Sequence, residues 1–103
     1  MNRLENTTEN GRSFDHQTIL SVWNRARAVS GANPNEYRKD ACGAWIRWAD
    51  YGTTSQYGWE IDHVKPVAKG GTDALTNVQA LHWKNNRHKA DNHPDWSCAI
   101  TST

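Results

Sequence analysis

The sequence lacks several features that would place a chain of this size quickly. No apolar run is long enough to span a bilayer. The opening stretch, MNRLENTTENGRS, has no apolar h-region of the kind a secretory signal needs, so a cytoplasmic protein is expected. There is no CxxC pair: Cys42 and Cys98 each stand alone. That excludes a paired-cysteine structural zinc site, and the two are expected to be reduced thiols and not a disulfide. Charge of one sign is also missing in bulk, because the net charge is only +1. Its distribution says more. Arg25, Arg27, Arg38 and Lys39 lie in the first half, and Lys84, Arg87 and Lys89 near the end, so local patches could meet phosphate while the total stays near neutral. Repeats and low-complexity tracts are absent.

The 103 residues suffice for one small domain. A hydrophobic share of 36% predicts a thin core, which six tryptophans partly offset. Trp23, Trp45, Trp48 and Trp59 are expected inside. Residues 1–12 are polar and are expected to form a disordered tail. Over residues 13–31, Ile19, Val22, Trp23 and Ala26 follow helical spacing, with Ser13 or Asp15 as cap and Gly31 as stop. A short helix is expected around residues 38–41 and a strand over 44–48, with Asp40 and Gly43 turning the chain between them. WEIDHV then reads as a strand and VQAL as a second extended segment. Between them lies a loop of about a dozen residues, long enough to suggest a functional role. Residues 83–90 read as a final helix. Residues 97–103 form a tail, with Trp96 pinning the end of the body.

Chemistry gathers around the first of these strands. Asp62 and His63 stand side by side at its end, where a strand that only packs has little use for them. Asn77 follows 14 residues later. His82 and Asn86, four apart, share a helix face. A hairpin with this helix laid across it would bring Asp62, His63 and Asn86 together. Phosphodiester cleavage needs an activated water and a way to neutralise charge on phosphate. A neutral histidine can take the water's proton. A divalent cation held by a carboxylate and an amide oxygen can meet the phosphate. Lys89, Arg87 and Lys84 could hold neighbouring phosphates. Glu60 is expected to pair with a nearby base, and Lys65 and Lys69 to be loop charges.

The stretch DHVKPVAKGGTDALTNVQALHWKNNRHKAD resembles the core of the HNH endonucleases, the ββα-metal fold. The ordered parts are Asp-His, a proline, a glycine pair, an asparagine, and then Asn-Asn-Arg-x-Lys. The resemblance is close over residues 57–91. It is looser over VWNRARAVSG and YRKDACGAWI, which look like the lead-in of small bacterial and phage members. It implies His63 as general base, Asp62 and Asn86 as metal ligands, and Asn77 as the residue that braces the loop and helps hold the base. Relatives with two CxxC pairs bind a structural zinc; here His82 and Asn85 stand where the second pair would be, and the tryptophans are expected to organise the fold instead. His82 stays open between a third metal ligand and a histidine packed at the helix start. With it, the ion could be Zn or Ni; without it, Mg or Mn is expected.

The fold expected is therefore a small α+β single domain over residues 13–96, a ββα-metal hairpin and helix preceded by an N-terminal helix. The activity expected is metal-dependent hydrolysis of DNA, with 5′-phosphate and 3′-hydroxyl ends, no membrane, and a protein partner as one source of specificity. The alternative is a nucleic-acid-binding module that keeps the fold without cleavage. A zinc-binding adaptor, the third reading, is opposed by the missing CxxC pairs.

Overall fold

The computed structural model describes residues 3–102, so Met1, Asn2 and Thr103 of the two expected tails lie outside the described residues. Helix α1 (His16–Arg25) starts as its sequence suggests. Asp15 caps it, Oδ1 accepting from Thr18 N at 2.8 Å. The helix ends at Arg25 and not near Gly31, because the backbone of Arg27 pairs with Lys39 in both directions, at 3.0 and 2.9 Å. The Arg38 guanidinium closes this end by donating to the carbonyls of Asn24 and Ala26.

That pairing also explains the second departure. Arg38 and Lys39, expected to open a short helix over 38–41, lie instead in strand β1 (Tyr37–Lys39), antiparallel to β2 (Trp45–Arg47) with Arg38 opposite Ile46. Extended backbone here finds partners on both edges, and tertiary pairing outweighs local helix preference. The turn between the strands is the expected one. Asp40 Oδ1 accepts from Cys42 N and Ala44 N, both at 2.9 Å, while Gly43 takes φ 87°, a left-handed conformation that suits glycine.

Strand β3 (Trp59–His63) pairs antiparallel with β4 (Val78–His82), Trp59 opposite His82 and His63 opposite Val78. Helix α2 (Trp83–Lys89) follows β4 without a linker and folds back over both strands, while α1 packs against β4. The core holds Trp23, Ile46, Trp59, Ile61 and Val78. Trp59 is its centre, with ring centroids 5.3 Å from Trp23 and 4.9 Å from Tyr51. Trp45 and Trp48 are only half-buried. The result is the expected small α+β domain.

Both expected tails are tied to this body. On the outer edge of β3, away from β4, Ile61 N needs an acceptor. Asn6 Oδ1 supplies it at 2.7 Å and also accepts from Tyr51 OH at 3.0 Å. Farther along, Glu9 N donates to Asp73 Oδ1 at 2.9 Å and Asp73 N to Glu9 Oε2 at 2.8 Å. The described part of the segment is thus ordered by specific polar partners and not by apolar burial. At the other end, Asn85 Oδ1 accepts from Ala99 N and Ile100 N, both at 2.8 Å. This brings Cys98 beside Cys42, and the two are joined in a disulfide, not left as the reduced thiols expected. Trp96 does pin the chain, its ring lying 5.8 Å from Lys89 Nζ.

Candidate active site

The end of β3 carries its polar residues indoors. Asp62 is only 6% exposed. Its Oδ2 accepts from Gln79 Nε2 at 3.0 Å and its Oδ1 lies 3.3 Å from Lys89 Nζ. Burial pushes its carboxyl above the ordinary range, opposed by the Gln79 hydrogen bond and the Lys89 charge. His63, next along, places Nε2 2.8 Å from Asp73 Oδ1. From α2, Asn86 Nδ2 donates to Glu60 Oε1 at 2.9 Å, so its amide oxygen is the end without a protein partner among the described residues. Asp62, His63 and Asn86 line one cavity of about 90 Å³. Pro66 and Val67 form part of its wall, and residues 3–7 of the N-terminal segment form another part.

Asn77 does not enter that cavity. Its Oδ1 accepts from Lys65 N at 2.9 Å, and its Nδ2 donates to the carbonyls of Lys65 at 3.1 Å and Thr72 at 2.8 Å. Its own carbonyl accepts from Val64 N at 2.7 Å. One side chain therefore clamps the two ends of the long loop immediately after His63, which is bracing and not contact with a reacting group. The glycine pair makes this closure feasible. A Cβ on Gly71 would stand 1.7 Å from the Lys65 carbonyl oxygen, so only glycine fits there.

Two expected site residues are placed elsewhere. His82 is buried at the start of α2. Its Nε2 meets Gln56 O at 2.8 Å, and its Nδ1 accepts from Lys84 N at 3.1 Å, capping the helix. Both ring nitrogens are engaged and neither faces the cavity, so His82 is not positioned as a ligand. Four-residue spacing sets a common face only inside a helix, and His82 is the cap before the first turn. Lys89, expected on phosphate, is fully buried and donates to the His63 carbonyl at 3.0 Å beside Asp62. Its position on α2 points it into the hairpin. Arg87 stays half-exposed and is tied to Glu60 Oε2 at 3.0 Å, which holds its guanidinium more firmly protonated than usual. Glu60 thus pairs with a base, as expected. Lys84 is exposed over the Trp83 ring, outside the cavity lining.

Asp73, Gln79 and the N-terminal wall belong to the site without being marked by the sequence motif. Gln79 lies opposite Asp62 in the β3–β4 register, a relation that a correct pairing of the two strands would have exposed. Asp73 had a weaker signal, an acid two residues beyond the glycine pair inside the conspicuous loop. Asn6 and Glu9 had none.

Among the described residues, no group of three or more His, Cys, Asp or Glu side chains gathers to hold a metal. Of the expected ligands, the Asp62 carboxylate and the Asn86 amide belong to residues that line the cavity, which Glu5 and Asp91 line as well. Two hard oxygens suit a divalent cation that keeps most of its own water. They suit a soft, imidazole-seeking ion less well once His82 is withdrawn. A cation there would share Asp62 with the Lys89 ammonium.

The HNH endonuclease family model matches residues 42–92, a span that contains Asp62, His63, Asn77 and Asn86. No curated protein and no solved structure matches the chain. With the ββα hairpin and helix in place and the family's ordered residues at its open end, the chain belongs to the HNH endonuclease family.

Proposed function

We propose that the protein hydrolyses phosphodiester bonds in DNA, with His63 as general base and a divalent cation, Mg or Mn, held by Asp62 and Asn86. The observation that carries this is the shared cavity: an imidazole, a buried carboxylate and an amide oxygen converge there from β3 and α2. His63 takes a proton from the attacking water as the water oxygen bonds to phosphorus. The bond from phosphorus to the 3′-oxygen breaks, and that oxygen takes a proton from solvent, giving 5′-phosphate and 3′-hydroxyl ends. A cation on Asp62 and Asn86 would supply charge neutralisation to the phosphate and the leaving oxygen. Asn86 is oriented for this by Glu60, which accepts one hydrogen bond from its amide nitrogen and leaves the amide oxygen without a protein partner among the described residues. Arg87 and Lys84 are the exposed cations of α2 and would contact flanking phosphates.

No helix among the described residues is long and apolar enough to cross a membrane. The cytoplasmic setting expected from the sequence sits poorly with the Cys42–Cys98 disulfide, which persists in oxidising compartments.

The test is plasmid nicking across Mg²⁺, Mn²⁺, Ni²⁺ and Zn²⁺, with and without EDTA, for the wild type, His63→Ala and Asn86→Ala. The wild type should cut in Mg²⁺ or Mn²⁺. His63→Ala should not cut but should still bind metal, and Asn86→Ala should lose both. Cleavage by His63→Ala at the wild-type rate would remove the base. A wild type that binds DNA and cuts in none of the metals would favour the binding-module alternative.

A further inference from the structure

We infer that Asp73 is the positioning residue of His63, and that the N-terminal segment, through Glu9, holds Asp73 in that role. The inference rests on the nuclease reading for what His63 does, but not for how its ring is held.

A neutral imidazole carries one N–H. The Asp73 carboxylate, 2.8 Å from Nε2, can only accept when ionised, so the hydrogen sits on Nε2. Nδ1 is then the nitrogen with a free lone pair, and no protein group bonds it among the described residues. A ring free to rotate would place either nitrogen toward the water and split its population between tautomers. Asp73 removes that freedom by holding the ring through Nε2, which leaves Nδ1 to take the water's proton.

Asp73 is itself held from two directions. Glu9 bonds it reciprocally, its N–H on Oδ1 and its carboxylate on Asp73 N. Asn77 fixes the preceding residue through the Thr72 carbonyl. Other charged groups around His63 are Asp62 on β3, Lys89 from α2, whose ammonium rests on the His63 carbonyl, and Arg3, Glu5 and Asp91 on the cavity wall; none of them is hydrogen-bonded to the ring nitrogens among the described residues. The Phe14 ring covers one side at 6.0 Å. Glu9 lies outside residues 42–92, so a segment beyond the family match contributes to the candidate site.

The experiment combines ring ¹⁵N NMR of the free protein with cleavage kinetics. In the wild type, His63 should be the Nε2–H tautomer; a ring protonated on Nδ1 overturns the inference. Asp73→Ala should mix the tautomers and lower kcat on the order of 10- to 100-fold with KM unchanged. Asp73→Glu should recover part of the rate, and Glu9→Ala should lose a smaller share than Asp73→Ala. Wild-type kcat in Asp73→Ala, or a loss confined to KM, overturns the inference. If the wild type cuts no DNA at all, the nuclease reading falls, while the tautomer still decides whether Asp73 positions the ring.

Discussion

Lys89 Nζ lies 3.3 Å from Asp62 Oδ1 and 3.0 Å from the His63 carbonyl, with no exposed surface of its own. One ammonium therefore joins the two neighbouring residues that the proposed chemistry uses, from beneath and not from the substrate side. Replacing it by Lys89→Met leaves a buried carboxylate without its counter-charge. Both partners are buried, so solvent screens little, and the expected loss is about 3–5 kcal/mol in urea unfolding. The salt dependence of DNA binding should not change, because no phosphate contact is lost. A salt slope reduced by about one would return Lys89 to the phosphate-binding set.

His82 should separate stability from metal binding. His82→Ala removes the helix cap, worth about 1 kcal/mol. It also leaves the Gln56 carbonyl unpaired, at about 1–3 kcal/mol. A loss of roughly 2–4 kcal/mol is expected on these grounds. Mn²⁺ affinity, measured by calorimetry below the melting transition, should match the wild type. A large fall in affinity for the folded variant would make His82 a ligand after all.

The contrast between these two residues shows what the chain's order reveals. Strand β3, helix α2 and the Asp62, His63, Asn86 grouping are all local, or are set by pairing two strands that flank one loop, and residue spacing reports such relations. Direction and depth are different matters. Lys89 reads as an exposed helix charge until α2 is laid on the hairpin and its face is fixed. Arg38 and Lys39 read as helix because their partners, Ile46 and Arg27, are not neighbours in sequence. Asn6 and Glu9 sit in a polar stretch whose order comes from a few hydrogen bonds, two of them across 64 residues. Composition sees apolar burial and is blind to such bonds.

The disulfide is the same lesson at a larger span, and it carries a prediction. Asp40 Oδ2 accepts from His82 N at 2.9 Å and Asn85 Nδ2 at 3.0 Å, and Asn85 grips the C-terminal backbone. This knot ties the turn before β2 to the start of α2, and the Cys42–Cys98 bond ties the same turn to the C-terminal segment, a task expected to fall to the tryptophans. With the cysteines separated by 56 positions in sequence, loop-closure entropy gives about 4 kcal/mol. Reduction with dithiothreitol, or Cys98→Ser, should lower the thermal midpoint accordingly. An unchanged midpoint would mean that the knot holds the C-terminus unaided.

Asp62 should make cation affinity depend on pH. Burial raises its carboxyl above the ordinary 3.8, so the native state keeps this proton longer than the unfolded chain does. Stability from this group is therefore full below 3.8 and falls as pH rises through the higher native value. A divalent cation on the same carboxylate favours the ionised form and must displace the proton. Mn²⁺ affinity should then fall as pH is lowered from about 7 toward about 4, over a window opening above the ordinary carboxylate range. Asp62→Asn should weaken binding and flatten the profile. Calorimetric titrations at several pH values check this directly. A wild-type affinity that stays level across the window, or an Asp62→Asn variant that keeps its slope, would remove Asp62 from the cation.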